Sequence, residues 1–537
     1  MKQNYLILLV MLSLAVCRGM AQTNTNYLAT DRDVYVSGEE VLLTAFLDSG
    51  LDFKVLCVAL SGEDGQLIHS VNLKIEEHCA NGHIYLPDSL RTGSYLLTAF
   101  SPNFRKQAIG NREILVVNRF ESADEDFPLR RAALPACESL QSAAYRLVGL
   151  RNEYRFGETG EVQIQGDEAA NRHFAIVVSR CLPGWEEHCL PVQPDLESNE
   201  MLTRKEGVVI QGLVKDSGTG EAVSGATVFL SIPDSIPYFD YYKTWDDGRF
   251  YFLLPQMYGQ KSVVVQAKKE DNEEELKVVL DEFVDSSKLT FQNQYLSLGA
   301  AERNYLADAV KLVTFQKVFE TETLQKQTVA IDLVYPYPFY GKPEMTVDPD
   351  EFFELEDFNA ISKELLQAVR FRERKEGYEL TMVDYDVKAF LTGQPMILVD
   401  GVPVDDLSRI APLGSKEIDW IDVVPYQRFY GNLKMDGVLA IYTKKGDLAI
   451  LPASPSVLKT EVESLQQPVS LAVPKSKEAH VPDFRQVLYW NPDVAISDSL
   501  QISFRIPDVK GTYRMQLIER RDDGQLFERT EYFTVSE

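Results

Sequence analysis

The residues best suited to binding a metal ion lie between positions 78 and 83. His78, Cys79 and His83 offer two imidazoles and one thiol, which are groups that zinc prefers. A structural zinc site needs a second pair of ligands at a matching spacing, and the sequence around this segment supplies none. We therefore predict no metal site.

Residues that could perform hydrolysis or bind a nucleotide lack the surroundings that those activities need. No Gly-x-Ser-x-Gly elbow occurs, and no glycine-rich phosphate loop precedes a helix. The acidic pairs Asp246-Asp247 and Asp522-Asp523 stand beside glycine, a pattern typical of hairpin turns. We therefore predict no catalytic residue and no cofactor, and we expect the chain not to be an enzyme.

The cysteines could form a disulfide bond. Cys181 and Cys189 bracket the turn Leu182–Trp185, which could bring their thiols together, although sequence does not set the geometry that a bridge needs. A disulfide between them and two free thiols remain alternatives. Cys17 falls in the N-terminal segment described next. The cysteines that remain are odd in number, so at least one of them stays unpaired. They are Cys57, Cys79, Cys137, Cys181 and Cys189.

The N-terminus has the pattern of a secretory signal peptide. Lys2 precedes an apolar run from Tyr5 to Val16, and small residues follow at Gly19 and Ala21. The run is too short for a spanning helix, which needs roughly 20 residues. We expect residues 1–21 to be removed, with lipidation of Cys17 as the alternative. The mature chain is then exported and has no transmembrane span.

Length and charge limit the possible partners. The 537 residues suggest about three to five domains. The chain has 54 Lys and Arg against 81 Asp and Glu, a net charge of −27. Because nucleic-acid binding depends on neutralising phosphates with cationic side chains, nucleic acid is not an expected partner.

Alternating apolar residues and turn signals predict β-sandwich units in the first 204 residues. Unit 22–118 contains Tyr35–Glu39 and a later strand that starts near Gly93, and unit 119–204 repeats the opening at Tyr154–Glu158. The "Y-x-x-G-E" opening and the "G-x-Y" strand resemble those of macroglobulin-type domains. The resemblance implies two such sandwiches.

The next unit, residues 205–290, carries a different strand pattern. Val223–Val228 reads "V-S-G-A-T-V", and Asp247–Phe250 reads "D-G-R-F". These motifs resemble the carboxypeptidase regulatory-like domain, a small sandwich often placed before outer-membrane receptors of Gram-negative bacteria. A connector of residues 291–348 follows, with a helical pattern from 300 to 319 and an aromatic, proline-rich stretch at Tyr335–Tyr340.

Residues 349–448 carry motifs of another family. Pro395–Val404 reads "P-M-I-L-V-D-G-V-P-V", and Gly437–Gly446 reads "G-V-L-A-I-Y-T-K-K-G". These segments resemble the plug domain of TonB-dependent receptors, which implies a small α+β domain that could contact an envelope protein. The candidate interaction residues are those of the turn and the strand after it: Asp400, Gly401, Val402 and Pro403.

The residues after the plug-like segment complete the expected organisation. Fewer than about a hundred remain, too few for the strands of a receptor's barrel, so we do not expect the chain to form its own pore. They divide into a linker of residues 449–482 and a β-unit of residues 483–537, which resembles macroglobulin-like envelope proteins. No cysteine has the Gly-Cys-Gly-Glu-Gln context of a macroglobulin thioester.

The sequence thus predicts a mainly β, multidomain chain of several β-sandwiches and one small α+β domain. The leading functional hypothesis is an exported, non-catalytic scaffold or binding protein of the periplasm or outer-membrane face. Its partner would be an envelope protein, such as an outer-membrane receptor or TonB-linked machinery. One alternative is a non-covalent peptidase regulator of macroglobulin type. The other is a glycan-binding accessory protein with aromatics on one face: Trp185, Tyr241, Tyr242 and Trp245.

Overall fold

The structure is a computed structural model of the chain. The segment 1–21 and the residues Cys137, Trp185 and Cys189 lie outside the part that it describes. The described residues are 26–47, 53–100, 108–121, 129–132, 141–142, 145–165, 172–182, 207–269, 275–281, 293–296, 299–319, 324–326, 337–449, 451–452, 454–471, 482–496, 499–521 and 526–537.

The chain divides into two compact units, and each is built from more than one stretch of sequence. Unit 1 contains residues 1–207, 283–329 and 465–537, whereas unit 2 contains residues 208–282 and 330–464. Strands dominate both units, which confirms the mainly β, multidomain fold class. Among the described helices, none has the length and apolar character needed to cross a membrane.

Unit 1 begins with an eight-stranded sandwich, here called the first sandwich. Its strands enclose an apolar core that includes Leu43, Leu56 and Ile114. Neighbouring strands are antiparallel, except that Val34–Val36 runs parallel to Ala108–Val117 at one edge. In spatial order the strands are Tyr27–Thr30, Glu40–Phe46, Cys79–Tyr85, Leu67–Glu76, Val55–Ser61, Gly93–Phe100, Ala108–Val117 and Val34–Val36.

The second sandwich of unit 1 is discontinuous in sequence. Strand Arg172–Arg180 pairs antiparallel with both Val487–Ile496 and Gly511–Arg520. The segments 119–204 and 483–537, which sequence patterns divide into separate units, therefore share one core. The order in its larger sheet is Gln141–Ser142, Leu526–Ser536, Gly511–Arg520, Arg172–Arg180 and Val487–Ile496, and Glu153–Arg155 also pairs with Leu526–Ser536. The order in its smaller sheet is Arg146–Val148, Thr159–Gln165 and Ser499–Arg505.

A largely buried carboxylate joins the two sandwiches of unit 1. Asp33 Oδ1 accepts a hydrogen bond from Arg112 Nη2, and its Oδ2 accepts one from Arg514 Nη1, both at 2.7 Å. Arg112 belongs to the first sandwich and Arg514 to the discontinuous one. Burial acts to raise the pKa of Asp33, but the charges of Arg514 and Arg112 outweigh it and lower the pKa below its ordinary value.

A helix packs across unit 1, as the sequence pattern from 300 to 319 predicts. It runs from Ala300 to Val318 and buries Tyr305, Ala309 and Leu312. Its apolar face contacts Val36 of the first sandwich through Ala309 and Val313. Two short ribbons complete the unit, Leu129–Ala132 with Asn293–Leu296 and Leu324–Lys326 with Val469–Leu471.

Unit 2 contains a small sandwich and an α+β body. In the small sandwich, one sheet has the order Arg249–Leu253, Val209–Asp216 and Leu276–Leu280. The other has the order Tyr238–Lys243, Thr227–Ile232, Gln260–Lys268 and Val457–Glu463. Strand Val457–Glu463 comes from the segment that sequence patterns treat as a linker.

The α+β body follows in the same unit. Helix Phe358–Glu364 starts at Asp357, whose Oδ1 accepts the Ala360 N–H at 2.7 Å, and it buries Phe358 and Ile361. A hairpin of Val369–Arg374 and Gly377–Met382 packs nearby, with 3-10 turns at Pro349–Glu351 and Leu407–Arg409. The sheet order is Met345–Val347, Ile418–Tyr430, Leu433–Thr443, Met396–Val399 and Val402–Pro403.

Aromatic rings join the small sandwich to the α+β body. Phe239 stacks on Phe339 with ring centroids 4.1 Å apart, and Phe339 meets Tyr430 at 5.4 Å. Tyr241 Oη accepts hydrogen bonds from the backbone N–H groups of Asn432 and Leu433, at 2.6 and 3.2 Å. The tip of the long hairpin is therefore held by a tyrosine of the other subdomain.

We predict that Asp33→Asn destabilises unit 1 by about 3 kcal/mol, because it removes the charge of a carboxylate that binds two buried guanidinium groups, those of Arg112 and Arg514, each at 2.7 Å. The free energy of unfolding from urea titrations measures this effect. Glu76→Gln is the matched control, because its partner Lys74 and Glu76 itself are exposed and such pairs contribute little.

The same variant has a defined pH dependence. Because the folded-state pKa of Asp33 is lowered, its stabilisation is fully present above the ordinary carboxyl value and is lost as the pH falls through the folded-state value. The stability gap between wild type and variant should stay constant near neutral pH and shrink only below pH 3.8. A gap that instead closes as the pH rises above neutrality would contradict the assignment.

We predict that Tyr241→Phe loosens the hairpin tip and lowers the stability of unit 2 by about 1 kcal/mol, the typical net value of a lost hydrogen bond. Hydrogen–deuterium exchange should rise at the amides of Asn432 and Leu433. The control Tyr258→Phe removes a hydroxyl that accepts a hydrogen bond from the exposed Gln256 side chain at 2.7 Å, and it should leave those amides unchanged. Equal exchange in wild type and Tyr241→Phe would refute this role.

Candidate functional site

The turn at Asp400 and Gly401 lies where the sequence predicts it, between Met396–Val399 and Val402–Pro403. Asp400 has φ 50° and Gly401 has φ 79°. Two successive residues in the left-handed region form the tight hairpin turn that Asp-Gly favours. A Cβ on Gly401 would collide with Pro237 of the small sandwich. Glycine is therefore needed for both conformation and space.

The Asp400 carboxylate is buried and fully engaged in backbone organisation. Its Oδ1 accepts the Thr443 N–H and its Oδ2 accepts the Thr443 Oγ1–H, both at 2.7 Å. Burial raises the pKa of Asp400, while the hydrogen bonds from Thr443 oppose that rise. This arrangement secures the parallel strand pair of the sheet.

The next two candidate residues also make contacts inside unit 2. The Val402 side chain lies in the apolar core of the α+β body. The Pro403 carbonyl accepts a hydrogen bond from Gln266 Nε2 of the small sandwich at 3.1 Å. The structure thus places the four residues together at an internal junction. That they contact an envelope partner stays a prediction.

A surface loop that sequence patterns did not single out holds apolar side chains in solvent. Val387 is 71% exposed and Phe390 is 60% exposed. Asp384 Oδ1 accepts the N–H groups of Asp386 and Val387 at 2.8 and 3.2 Å, and the Asp384 N–H donates to the Ala389 carbonyl at 2.9 Å. The loop is therefore closed by its own hydrogen bonds, which fix the backbone between residues 384 and 389.

The aromatic residues of the glycan hypothesis separate into different places. Tyr241 faces the hairpin tip, as described above. Tyr242 and Trp245 instead lie together with Tyr251, on the side of the small sandwich where its two sheets meet at strands Tyr238–Lys243 and Arg249–Leu253. The pKa of Tyr242 is raised to about 12, mainly by burial and secondly by the neighbouring Tyr251. Strand alternation could have separated Tyr241 from Tyr242, because neighbouring residues point to opposite faces.

The described cysteines are buried. Burial raises the pKa of the Cys57 and Cys79 thiols to about 12 and that of Cys181 to about 11. Thiols with raised pKa values are poor nucleophiles, because the thiolate is the reactive form. The proposed partner of Cys181, Cys189, lies outside the described residues, so the disulfide stays a prediction.

His83 and Cys79 make separate side-chain contacts. His83 Nδ1 lies 3.0 Å from Glu40 Oε2, and the Cys79 sulfur lies 3.3 Å from Thr44 Oγ1. Within the described ranges, no cluster of three or more His, Cys, Asp or Glu side chains is arranged to hold a metal ion.

A small surface pocket of about 250 Å³ lies in the α+β body. Lys444 Nζ contacts Asp350 at 2.8 Å and donates to the Ser415 carbonyl at 2.9 Å, while Lys416 pairs with Glu354. These opposite charges pair with one another across the pocket. Its lining residues are Pro349, Asp350, Phe352, Glu354, Ser415, Lys416 and Lys444.

Comparison with known proteins gives weak structural likenesses. No protein-family description and no curated sequence matches the chain. Salmonella α-2-macroglobulin reacted with methylamine is 11% identical with a TM-score of 0.24, over 95% of this chain and 39% of that one. Escherichia coli α-2-macroglobulin activated by porcine elastase is 8% identical with a TM-score of 0.24, over 95% and 43%.

A third solved structure is a tetra-tandem repeat from the extending region of a large adhesion protein. It is 10% identical with a TM-score of 0.13, over 95% of this chain and 99% of that one. The chain spans about two fifths of the length of the two macroglobulins it matches. The structural similarity is low in all three comparisons.

Proposed function

We propose that this chain is an exported, non-catalytic binding protein of the cell envelope, whose α+β body engages another outer-membrane or periplasmic protein. The observation that carries the proposal is the ordered loop of residues 384–390, which holds Val387 and Phe390 in solvent. The N-terminal signal pattern supports export, and the plug-like motifs suggest a receptor or TonB-linked machinery as partner.

The loop has the properties of a binding hot spot. Large apolar side chains that remain exposed lose contact with water when a partner covers them, at roughly 25 cal/mol for each Å² buried. Because the hydrogen bonds of Asp384 already order the loop, binding does not have to order it again. A few preorganised apolar residues can then supply most of an interface's binding energy.

A second exposed apolar pair belongs to the same α+β body. Phe352 and Phe353 are both exposed and follow directly on the turn Pro349–Glu351. Apolar side chains that appear singly on a surface are common, whereas grouped ones more often mark an interaction site. This pair therefore adds a further apolar feature on the domain proposed to bind.

The absence of catalysis is proposed from the use of the buried carboxylates. Asp31 Oδ1 accepts the Tyr35 hydroxyl at 2.8 Å, and Asp422 Oδ2 accepts the Tyr340 hydroxyl at 2.9 Å. Asp400 binds Thr443 in the same manner. Groups that already stabilise a strand or a core are poorly placed to transfer protons to a substrate.

We predict that Val387→Asp combined with Phe390→Asp abolishes partner capture without unfolding the protein. Charges at both positions should cost more than about 2 kcal/mol of binding, which lowers affinity more than tenfold. The measurement is crosslinking of the full chain in the envelope of the producing cells, followed by quantitative mass spectrometry of the captured proteins.

The matched control is Val318→Asp combined with Phe120→Asp, because these residues are 70% and 71% exposed and lie in unit 1. It should capture the same envelope protein as the wild type. Equal loss in both double variants, or capture of cytosolic proteins alone, would refute the proposal.

A further inference from the structure

We propose that Tyr242, Trp245 and Tyr251 form a carbohydrate-binding site on the small sandwich, with the exposed face of Trp245 stacking on a sugar ring. The site is separate from the loop of residues 384–390 and from the protein partner proposed above. Its ligand class is a neutral polysaccharide or oligosaccharide.

Three adjacent backbone segments bring the rings together. Tyr242 lies near the end of strand Tyr238–Lys243, Trp245 in the following turn, and Tyr251 in strand Arg249–Leu253. Ring centroids of Tyr242 and Tyr251 are 4.8 Å apart, and those of Trp245 lie 6.3 Å from Tyr242 and 6.1 Å from Tyr251. The indole is therefore supported by two tyrosines on the protein side.

The backbone around Trp245 is fixed by hydrogen bonds. The Trp245 N–H donates to the Arg249 carbonyl at 3.1 Å, and its own carbonyl accepts the Gly248 N–H at 2.9 Å. The preceding Thr244 is buried, and its Oγ1 donates to the Val223 carbonyl and accepts the Ala226 N–H. The backbone that carries the indole is therefore fixed before any ligand arrives, which reduces the entropic cost of binding.

The indole remains 48% exposed despite its two aromatic neighbours. An aromatic face carries partial negative charge, so it attracts the polarised C–H groups on the flat side of a sugar ring while burying apolar area. The interplanar angles, 57° to Tyr242 and 72° to Tyr251, tilt the two tyrosines away from the indole plane. A single ring stacked on Trp245, with the tyrosines beside it, fits this geometry.

The polar residues around the indole favour a neutral ligand over a charged one. Arg249 Nη1 donates to Asp281 Oδ2 at 3.0 Å, and its Nε lies 3.9 Å from Asp247 Oδ2, so these exposed charges are paired. Asp246 and Lys243 are also exposed and lie within two residues of Trp245 in the chain. This mixture of acceptors and donors suits hydroxyl groups, each of which both donates and accepts. A charged peptide of either sign would meet charges of both signs that already pair with one another, so the site gives it no electrostatic advantage.

The test uses affinity electrophoresis of the purified full chain through gels that contain laminarin, soluble starch or galactomannan. We expect retardation of the wild type in at least one of these gels. Trp245→Ala should raise the apparent dissociation constant at least tenfold. Phe429→Ala is the control, because it removes an aromatic ring from the α+β body that is even more exposed than Trp245, 64% against 48%, and its retardation should equal that of the wild type.

Trp245→Phe separates binding from folding, since it keeps an aromatic ring in the cluster but presents a smaller face. We expect its melting temperature to match the wild type and its retardation to be intermediate. Absence of wild-type retardation in all three gels, or equal retardation of wild type and Trp245→Ala, would overturn the site. Tryptophan-dependent binding of an oligolysine probe in place of the polysaccharides would also overturn it, because the ligand would then be a cationic chain.

Discussion

The antiparallel pairing of strand Arg172–Arg180 with Val487–Ile496 and Gly511–Arg520 is the interaction on which unit 1 depends. It places Phe174, Tyr513 and their neighbours in one core. It also positions Arg514 beside Asp33, which fixes the first sandwich against the discontinuous one. If these strands did not pair, the ion pair between Arg514 and Asp33 would be lost at that junction, and the cost of desolvating the two charges would favour separation.

Both proposed binding features lie in unit 2, and both are ordered by short-range polar contacts. Asp384 closes the loop that carries Val387 and Phe390, and Thr244 anchors the turn that carries Trp245. Small polar side chains that bond to nearby backbone groups order a loop without burying it. Val387, Phe390 and Trp245 can therefore stay exposed on a backbone that hydrogen bonds already hold in place.

The fold class, the helix Ala300–Val318 and the Asp400–Gly401 turn follow from local patterns, because periodicity and turn chemistry act within a few residues. The pairing of residues 172–180 with residues beyond 487 does not follow from local patterns. Alternation predicts which face of a strand is buried, but not which strand lies beside it. For the same reason, motif matching located the turn of residues 400–403 but not its burial against the small sandwich. Surface loops such as 384–390 carry little periodic signal at all.

Because unit 2 is inserted within the discontinuous sandwich, that sandwich closes late during biosynthesis. The polypeptide is synthesised from its N-terminus onward. About three hundred more residues are therefore made after strand Arg172–Arg180 before its neighbours Val487–Ile496 and Gly511–Arg520 are present. The sheet can therefore form only after residues 487–520 have been synthesised. A chain truncated before them would leave strand Arg172–Arg180 without either of these two neighbours.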